Sequence, residues 1–294
     1  MRPSLPGMAL SGPPPILADL HMHTSHSHGQ ANADAMFLAA RIHRLSTIGF
    51  AEHSPRPEGY SYPADYQEKL ITEFPQYITD VRNVTERAAL NGITVLLGLE
   101  ADFIPGQESF TAAFCRGYAF DYIIGGLHFQ GTWGFDFSAD DWAPLSRDER
   151  FAIYARYYKE LDTMSQSRMF HIAAHPDLIK LFSIDDFHAW LDTDDALPLV
   201  QNALLAMKDN GVIMEVSSAG LRKPCKEIYP GPRIMELAAA IELPISFGSD
   251  AHCTKTPAYG FHRLARYAAR YGYRYSCIPC KGEVKRLPFT TPSR

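Results

Sequence analysis

Seven short apolar runs are spread along this 294-residue chain, and six of them end in histidine, glutamate or aspartate. The first, residues 16–18, leads into D-L-H-M-H-T-S-H-S-H-G, which places His21, His23, His26 and His28 close together. The runs at 47–53, 94–100, 122–128 and 169–175 close on His53, Glu100, His128 and His175. The run at 212–216 is the exception, and the last, 244–252, closes on Asp250 and His252. Between the runs, apolar residues recur at helical spacing, as in Ala33, Met36, Phe37 and Ala40, or Leu70, Phe74, Ile78, Val81 and Ala88. Further helices are expected near 146–166, 199–210, 231–241 and 261–271, with a polar tail after the last. Strands alternating with helices predict a parallel sheet, and seven units without an evident break in strand order predict closure into a TIM-like β/α barrel. Such barrels build their active sites at the C-terminal ends of the strands, where these ligand-type residues fall. Histidines scattered over a surface would not sort in this way. His43, His188 and His262 in helical segments, and His171 inside a strand, are read as ordinary surface or core residues.

His21 and His23, two apart in an extended segment, point to the same side. Neutral imidazole nitrogen is a good ligand for zinc, iron or copper. With His28, His53, Glu100, His128, His175, Asp250 and His252 they make nine candidate ligands. One zinc-like ion uses about four, so two to three divalent ions are implied. No Ser-His-Asp or Cys-His arrangement stands out, and no G-x-x-x-x-G-K-[ST] loop is present. A centre of several metals generates hydroxide near neutral pH and steadies attacking and leaving oxygens together, which makes phosphoester hydrolysis the expected reaction.

The formal net charge of −5 gives no global field attracting nucleic acid. A phosphate-bearing substrate must then be held locally, and Arg222 and Lys223, in the loop after the sixth run, open on the metal face. A guanidinium grips phosphate through two parallel hydrogen bonds, and Arg56, after the second run, is a further candidate. Residues 129–145 hold Trp133, Phe135, Phe137 and Trp142 among glycines and aspartates, a composition that suits either a lid or a loop packed over the core. Pro75 is expected to kink or divide the helix it falls in. No apolar run reaches membrane-spanning length. Residues 1–15, with their prolines, read as a flexible leader without the apolar core of a secretory signal, and 16–294 as one domain. Five scattered cysteines fit reduced thiols in a cytoplasm. Cys277-x-x-Cys280 lacks the second pair that a four-cysteine zinc site needs.

The motifs D-L-H-M-H-T with His28-Gly29, A-E-H-S, G-L-E-A-D-F-I-P-G, G-G-L-H-F with W-G-F-D, A-H-P-D-L-I-K, E-V-S-S-A-G-L-R-K-P-C-K-E-I-Y-P and F-G-S-D-A-H span residues 18–252. Together they make the chain resemble the polymerase and histidinol phosphatase (PHP) family, and within it the histidinol-phosphate phosphatases. The resemblance implies a distorted seven-stranded β/α barrel and a trinuclear centre of manganese, zinc or iron. It implies hydrolysis of L-histidinol phosphate to L-histidinol and phosphate, a step of histidine biosynthesis. Carried over by motif, one metal takes His21, His23, Glu100 and Asp250, and a second takes Glu100, His128 and His175, with Glu100 bridging. The third takes His53, His252 and either His26 or His28, since the segment between His23 and His28 is a residue shorter than the family pattern. The glycine after His28 favours that residue. Glu100, Asp250 and His128 are the expected catalytic groups, with Asp250 or a neighbouring histidine managing the proton. Arg222, Lys223 and Arg56 are expected on the phosphate, and Asp136, Phe135 or Trp133 on the ammonium and imidazole of the substrate. Two rivals are a PHP phosphoesterase acting on another small phosphomonoester or on nucleic-acid ends, and a non-catalytic metal-binding regulatory module. The acidic balance opposes the nucleic-acid reading, and the complete ligand set opposes the regulatory one.

Overall fold

In a computed structural model that describes residues 16–60 and 65–289, the seven apolar runs lie side by side in one parallel sheet. The leader expected at 1–15 lies outside the described residues. The strands in chain order are β1 (Ala18–Asp19), β2 (Thr47–His53), β3 (Thr94–Asp102), β4 (Tyr122–Gly126), β5 (Phe129–Gln130), β6 (Trp133–Gly134), β7 (Ile172–Ala173), β8 (Ile213–Ser217), β9 (Ile245–Gly248), β10 (Tyr275–Cys280) and β11 (Glu283–Pro288). The sheet runs β1-β2-β3-β4-β7-β8-β9, every pair parallel. Its two edges meet: Leu20 N–H donates to the Phe247 carbonyl at 3.1 Å and His23 N–H to that of Ala251 at 2.9 Å. This closes the barrel that the alternation predicts.

Around it stand α1 (Ala33–Ile42), α2 (Tyr66–Ala89), α3 (Glu108–Gly117), α4 (Arg147–Gln166), α5 (Ile184–Leu191), α6 (Ala196–Asp209), α7 (Pro232–Ala240) and α8 (Phe261–Arg270). Local chemistry starts them. Asn32 accepts the Ala35 N–H at 2.9 Å to cap α1, and Ser146 with Glu149 forms a reciprocal capping box at α4. Of the two outcomes expected at Pro75, a kink or a division, division does not occur: α2 runs through it unbroken. The helix buries Leu70 and Phe74 before it and Tyr77, Ile78, Val81, Val84 and Ala88 after it, and that packing outweighs the hydrogen bond the proline removes.

The barrel interior is layered. Because side chains alternate along a strand, Leu96 shares a face with Glu100, and Ile213 with Glu215. The lower layer is apolar: Ala18, Leu20, Ala51, Leu96, Tyr122, Ile124, Ile172, Ala174 and Ile213 form one buried cluster together with Cys277 and Ile278. Tyr122 crosses this space and donates its hydroxyl to the Leu20 carbonyl at 2.5 Å. Its ring fits only because Gly49 and Gly98 carry no Cβ to meet it. The presence of Cys277 and Ile278 corrects the expected polar tail. Residues 275–288 are an antiparallel hairpin of β10 and β11 whose inner face plugs the N-terminal end of the barrel. Only the opposite end remains for chemistry.

Candidate metal centre

Nearly every strand of the barrel delivers a ligand-type side chain to one point at its C-terminal end. Glu100, at the end of β3, is the centre of that arrangement. One of its oxygens lies 3.2 Å from His21 Nε2, 3.3 Å from His23 Nε2 and 3.2 Å from His53 Nδ1. The other lies 3.3 Å from His175 Nε2 and 3.7 Å from His128 Nε2. Asp250 Oδ1, just past β9, stands 3.4 Å from His23 Nε2, 3.9 Å from His21 Nε2 and 3.4 Å from His252 Nδ1. Three groups could each surround an ion: His21, His23 and Glu100; Glu100, His128 and His175; and His23, His53 and His252. Glu100 belongs to two of the groups, and its two oxygens face different histidines.

His28 and His26 part ways. The His28 ring lies tilted 4.2 Å from that of His252 and stacks 5.0 Å from that of His53, at the mouth of the cluster, with Nδ1 2.9 Å from the Tyr66 hydroxyl. His26 faces α2 instead, its two nitrogens 3.1 Å from Glu73 and 2.9 Å from Asp80. His43, His171, His188 and His262 lie outside the cluster; His171 Nδ1 accepts the Ile123 N–H.

Three carboxylates behind the ligands, Glu52, Asp102 and Glu215, carry no site role in the sequence reading. Each holds the far nitrogen of a histidine in the cluster: Glu215 to His21 Nδ1 at 2.7 Å, Asp102 to His128 Nδ1 at 2.6 Å, and Glu52 to His23 Nδ1 at 3.3 Å. Such carboxylate–histidine pairs fix the ring orientation and raise the basicity of the nitrogen that binds metal. Glu52 is itself held by the N–H and hydroxyl of Thr24 and the hydroxyl of Ser27, Asp102 by Arg56 Nε at 2.5 Å, and Glu215 by the His175 N–H at 2.9 Å. The sequence signal was faint: Glu52 precedes a ligand, Asp102 follows one by two residues, and Glu215 sits in the run whose end lacks a ligand.

The electrostatics suit cations. Burial alone would neutralise Glu100, yet the neighbouring His21, itself raised, holds its carboxyl well below the usual range. Asp250 is likewise held low against burial by the Lys223 ammonium. Burial favours neutral His23, but Asp250, Glu100 and Glu52 raise it to about 10, so the same carboxylates that retain a proton there would retain a metal ion. Burial pushes His53 and His252 well below their ordinary values, leaving neutral rings ready to bind metal. His21 Nε2, His23 Nε2, His53 Nδ1 and His252 Nε2 are buried without a hydrogen-bond partner. Orphaned buried nitrogens are costly, and an ion among them removes that cost. His175 and Asp250 also hold backbones of positive φ, 24° and 50°, a strain of the kind found at working sites.

The cluster forms the floor of a cavity of about 400 Å³. His28, His53, Glu100, His128, His175, Asp250 and His252 line it, and Arg56, Tyr66, Asp136, Phe137 and Lys223 complete the wall. Three expected substrate contacts, Arg222, Trp133 and Phe135, lie off the cavity wall. Arg222 turns its guanidinium onto the carbonyls of Ser249 and Asp250 and against the Tyr259 ring, so it braces the Asp250 loop. Trp133 packs on Trp142 and Phe135. The aromatic loop is thus part anchor and part wall: Phe135 and Trp142 are buried in the core, while Asp136 and the exposed Phe137 face the cavity.

The sequence matches the PHP domain family over residues 19–219. It is 34% identical over 239 residues to the "Probable histidinol-phosphatase" of Deinococcus radiodurans, covering 80% of this chain and 86% of that one. It is 24% identical to the histidinol-phosphatase of Bacillus subtilis, covering 83% and 96%. Among solved structures, a histidinol phosphate phosphatase from Lactococcus lactis, crystallised with zinc, L-histidinol and phosphate, superposes with a TM-score of 0.74. That likeness, at 16% identity, covers 91% of this chain and 98% of the other.

Proposed function

The chain belongs to the PHP domain family, and we propose that it is a metal-dependent histidinol-phosphatase, a cytoplasmic enzyme of histidine biosynthesis, which hydrolyses L-histidinol phosphate with three divalent ions of zinc, manganese or iron. The observation that carries this reading is Glu100, whose two oxygens face separate histidine groups beneath a cavity with cationic side chains on its wall. When bound, the ions supply an ionised water near neutral pH and draw charge from the phosphoryl oxygens. His21, His23, Glu100 and Asp250 would hold one ion, Glu100, His128 and His175 a second, and His28, His53 and His252 the third.

The protein's own groups do the rest. Glu100 sets the separation of the two histidine groups it serves, and Glu215, Asp102 and Glu52 keep the rings turned inward. Arg56, fixed by Asp102 and by the faces of Tyr66 and Phe129 at 5.9 and 5.2 Å, and Lys223, 3.1 Å from Asp250, orient the phosphate by charge. Asp250 or a histidine beside it would accept the proton of the attacking water. Asp136 and Phe137, on the same cavity wall, suit an ammonium and an imidazole, through charge and ring stacking. The reading is tested by measuring metal content alongside a panel of phosphomonoesters. It expects bound divalent ions, loss of activity with a chelator, and preference for histidinol phosphate; equal rates across the panel would refute the substrate assignment.

A further inference from the structure

Outside the ring of ligands, one buried cation joins two loops that serve the reaction. Lys180 is wholly buried. Its Nζ donates to Asp177 Oδ2 at 2.6 Å, to Glu227 Oε1 at 2.8 Å and to the Ile228 carbonyl at 2.9 Å, and lies 5.0 Å from the centroid of the Tyr229 ring. An ammonium has three donors, and all three are used. Asp177 Oδ2 also accepts the N–H of Gly231, the residue that caps α7, at 2.7 Å. Burying such a group is expensive unless its pairing is complete, and apolar side chains would join two loops more cheaply. What the ammonium adds is a fixed geometry between three oxygens.

The two loops both reach the site. Asp177 follows His175 by two residues, and the Tyr229 ring under the ammonium stands 6.1 Å from the His175 ring. On the other side, the chain leaves β8 at Ser217 and returns at Tyr229, where the two residues exchange backbone hydrogen bonds of 2.7 and 3.1 Å. The excursion between them carries Lys223 to Asp250 and Arg222 to the Ser249 and Asp250 carbonyls. Lys180 is absent from the cavity wall.

We propose that Lys180 is a positioning residue, which locks the loop after β8 to the loop after β7 and thereby sets where Lys223 stands in the cavity. This rests on the assignment of Lys223 to the substrate phosphate. Glu227, only partly buried, is the softer point of the lock, and Gly231 leaves it room: a Cβ there would meet Glu227 Oε1 at 2.5 Å and Lys180 Nζ at 3.2 Å.

The test compares Lys180→Met, Glu227→Ala and Glu227→Gln in the metal-loaded enzyme, with and without Lys223→Ala. The quantities read are the Kd for inorganic phosphate, KM and kcat on a generic aryl phosphate, and ions per chain. Glu227→Ala should weaken phosphate binding and raise KM by about 2- to 30-fold, the range of couplings carried through packed networks, with kcat and metal content held. Glu227→Gln, which keeps an acceptor for the ammonium, should restore both. In the Lys223→Ala background the same changes should have no further effect. Lys180→Met should behave as Glu227→Ala does; if it does not fold, the alanine and glutamine variants at 227 decide alone. A fall in metal content or kcat with KM unchanged, or effects that multiply with Lys223→Ala, would overturn the proposal. Since the readout is phosphate affinity, an enzyme that prefers another phosphomonoester would alter the substrate reading and leave this comparison intact.

Discussion

Glu215 holds His21 from behind: its Oε1 lies 2.7 Å from His21 Nδ1, across 194 residues of sequence. Its other oxygen accepts the His175 N–H at 2.9 Å, so one carboxylate holds residues from two of the three clustered groups. Glu215→Gln keeps the shape but loses the charge that makes the imidazole a better donor. Metal affinity should fall about 10- to 100-fold, measured by competition with a chelator. Gly248→Ala should do the same without altering a charge, because the added Cβ would collide with Glu215 Oε1. Unchanged metal affinity in both variants would mean that Glu215 is not a ring-orienting group.

Glu100→Gln should abolish hydrolysis more completely than His28→Ala. The carboxylate belongs to two of the three ligand groups, whereas His28 stands at the mouth. His26→Ala should leave the number of bound ions unchanged, since its ring is turned to Glu73 and Asp80. Elemental analysis of the three variants checks this; loss of an ion from His26→Ala would move the third site.

Contacts to phosphate are shared by all phosphomonoesters and cancel in discrimination. Lys223→Ala should therefore lower kcat/KM by similar factors across a substrate panel. Asp136→Asn and Phe137→Ala should lower it for histidinol phosphate alone. Arg222→Ala, acting on the backbone that carries Asp250, should lower metal retention along with activity. A selective loss of histidinol phosphate turnover in Lys223→Ala would reverse the two assignments.

Ile278 fills the lower barrel beside Tyr122 and Leu96. Ile278→Ala should cost about 2–5 kcal/mol of stability with kcat retained, as read by denaturant unfolding and by assay below the transition. A loss of kcat without destabilisation would mean that the plug communicates with the site.

His23 is raised to about 10 by the carboxylates around it, above its ordinary value of about 6.5. A group raised in the folded state stabilises fully below its unfolded value, and that contribution disappears as pH rises through the folded one. Chelated protein should therefore lose Tm between about pH 6.5 and 10, and His23→Gln should flatten that dependence. A Tm that is level or rising over this window in the chelated wild type would contradict it.

Alternation of apolar runs with helical spacing is a local property, and it sufficed for the barrel. The sorting of His21, His23, His53, Glu100, His128, His175, Asp250 and His252 to strand ends sufficed to bring them together, because a parallel barrel gathers those ends at one rim. The helix caps at Asn32 and Ser146 are local as well, since each is made within four residues. What the sequence by itself could not determine were relations between distant segments. Glu52, Asp102 and Glu215 are ordinary carboxylates until the barrel sets each behind a ring. Arg222 and Lys223 are adjacent in sequence, yet one braces the Asp250 backbone and the other lines the cavity. Residues 275–288 look polar because β11 is largely exposed, and only the apolar lower layer of the barrel explains why Cys277 and Ile278 turn inward. Periodicity records which face of an element is buried; which partner meets that face is decided by closure of the whole sheet, and there the tertiary structure alone decides.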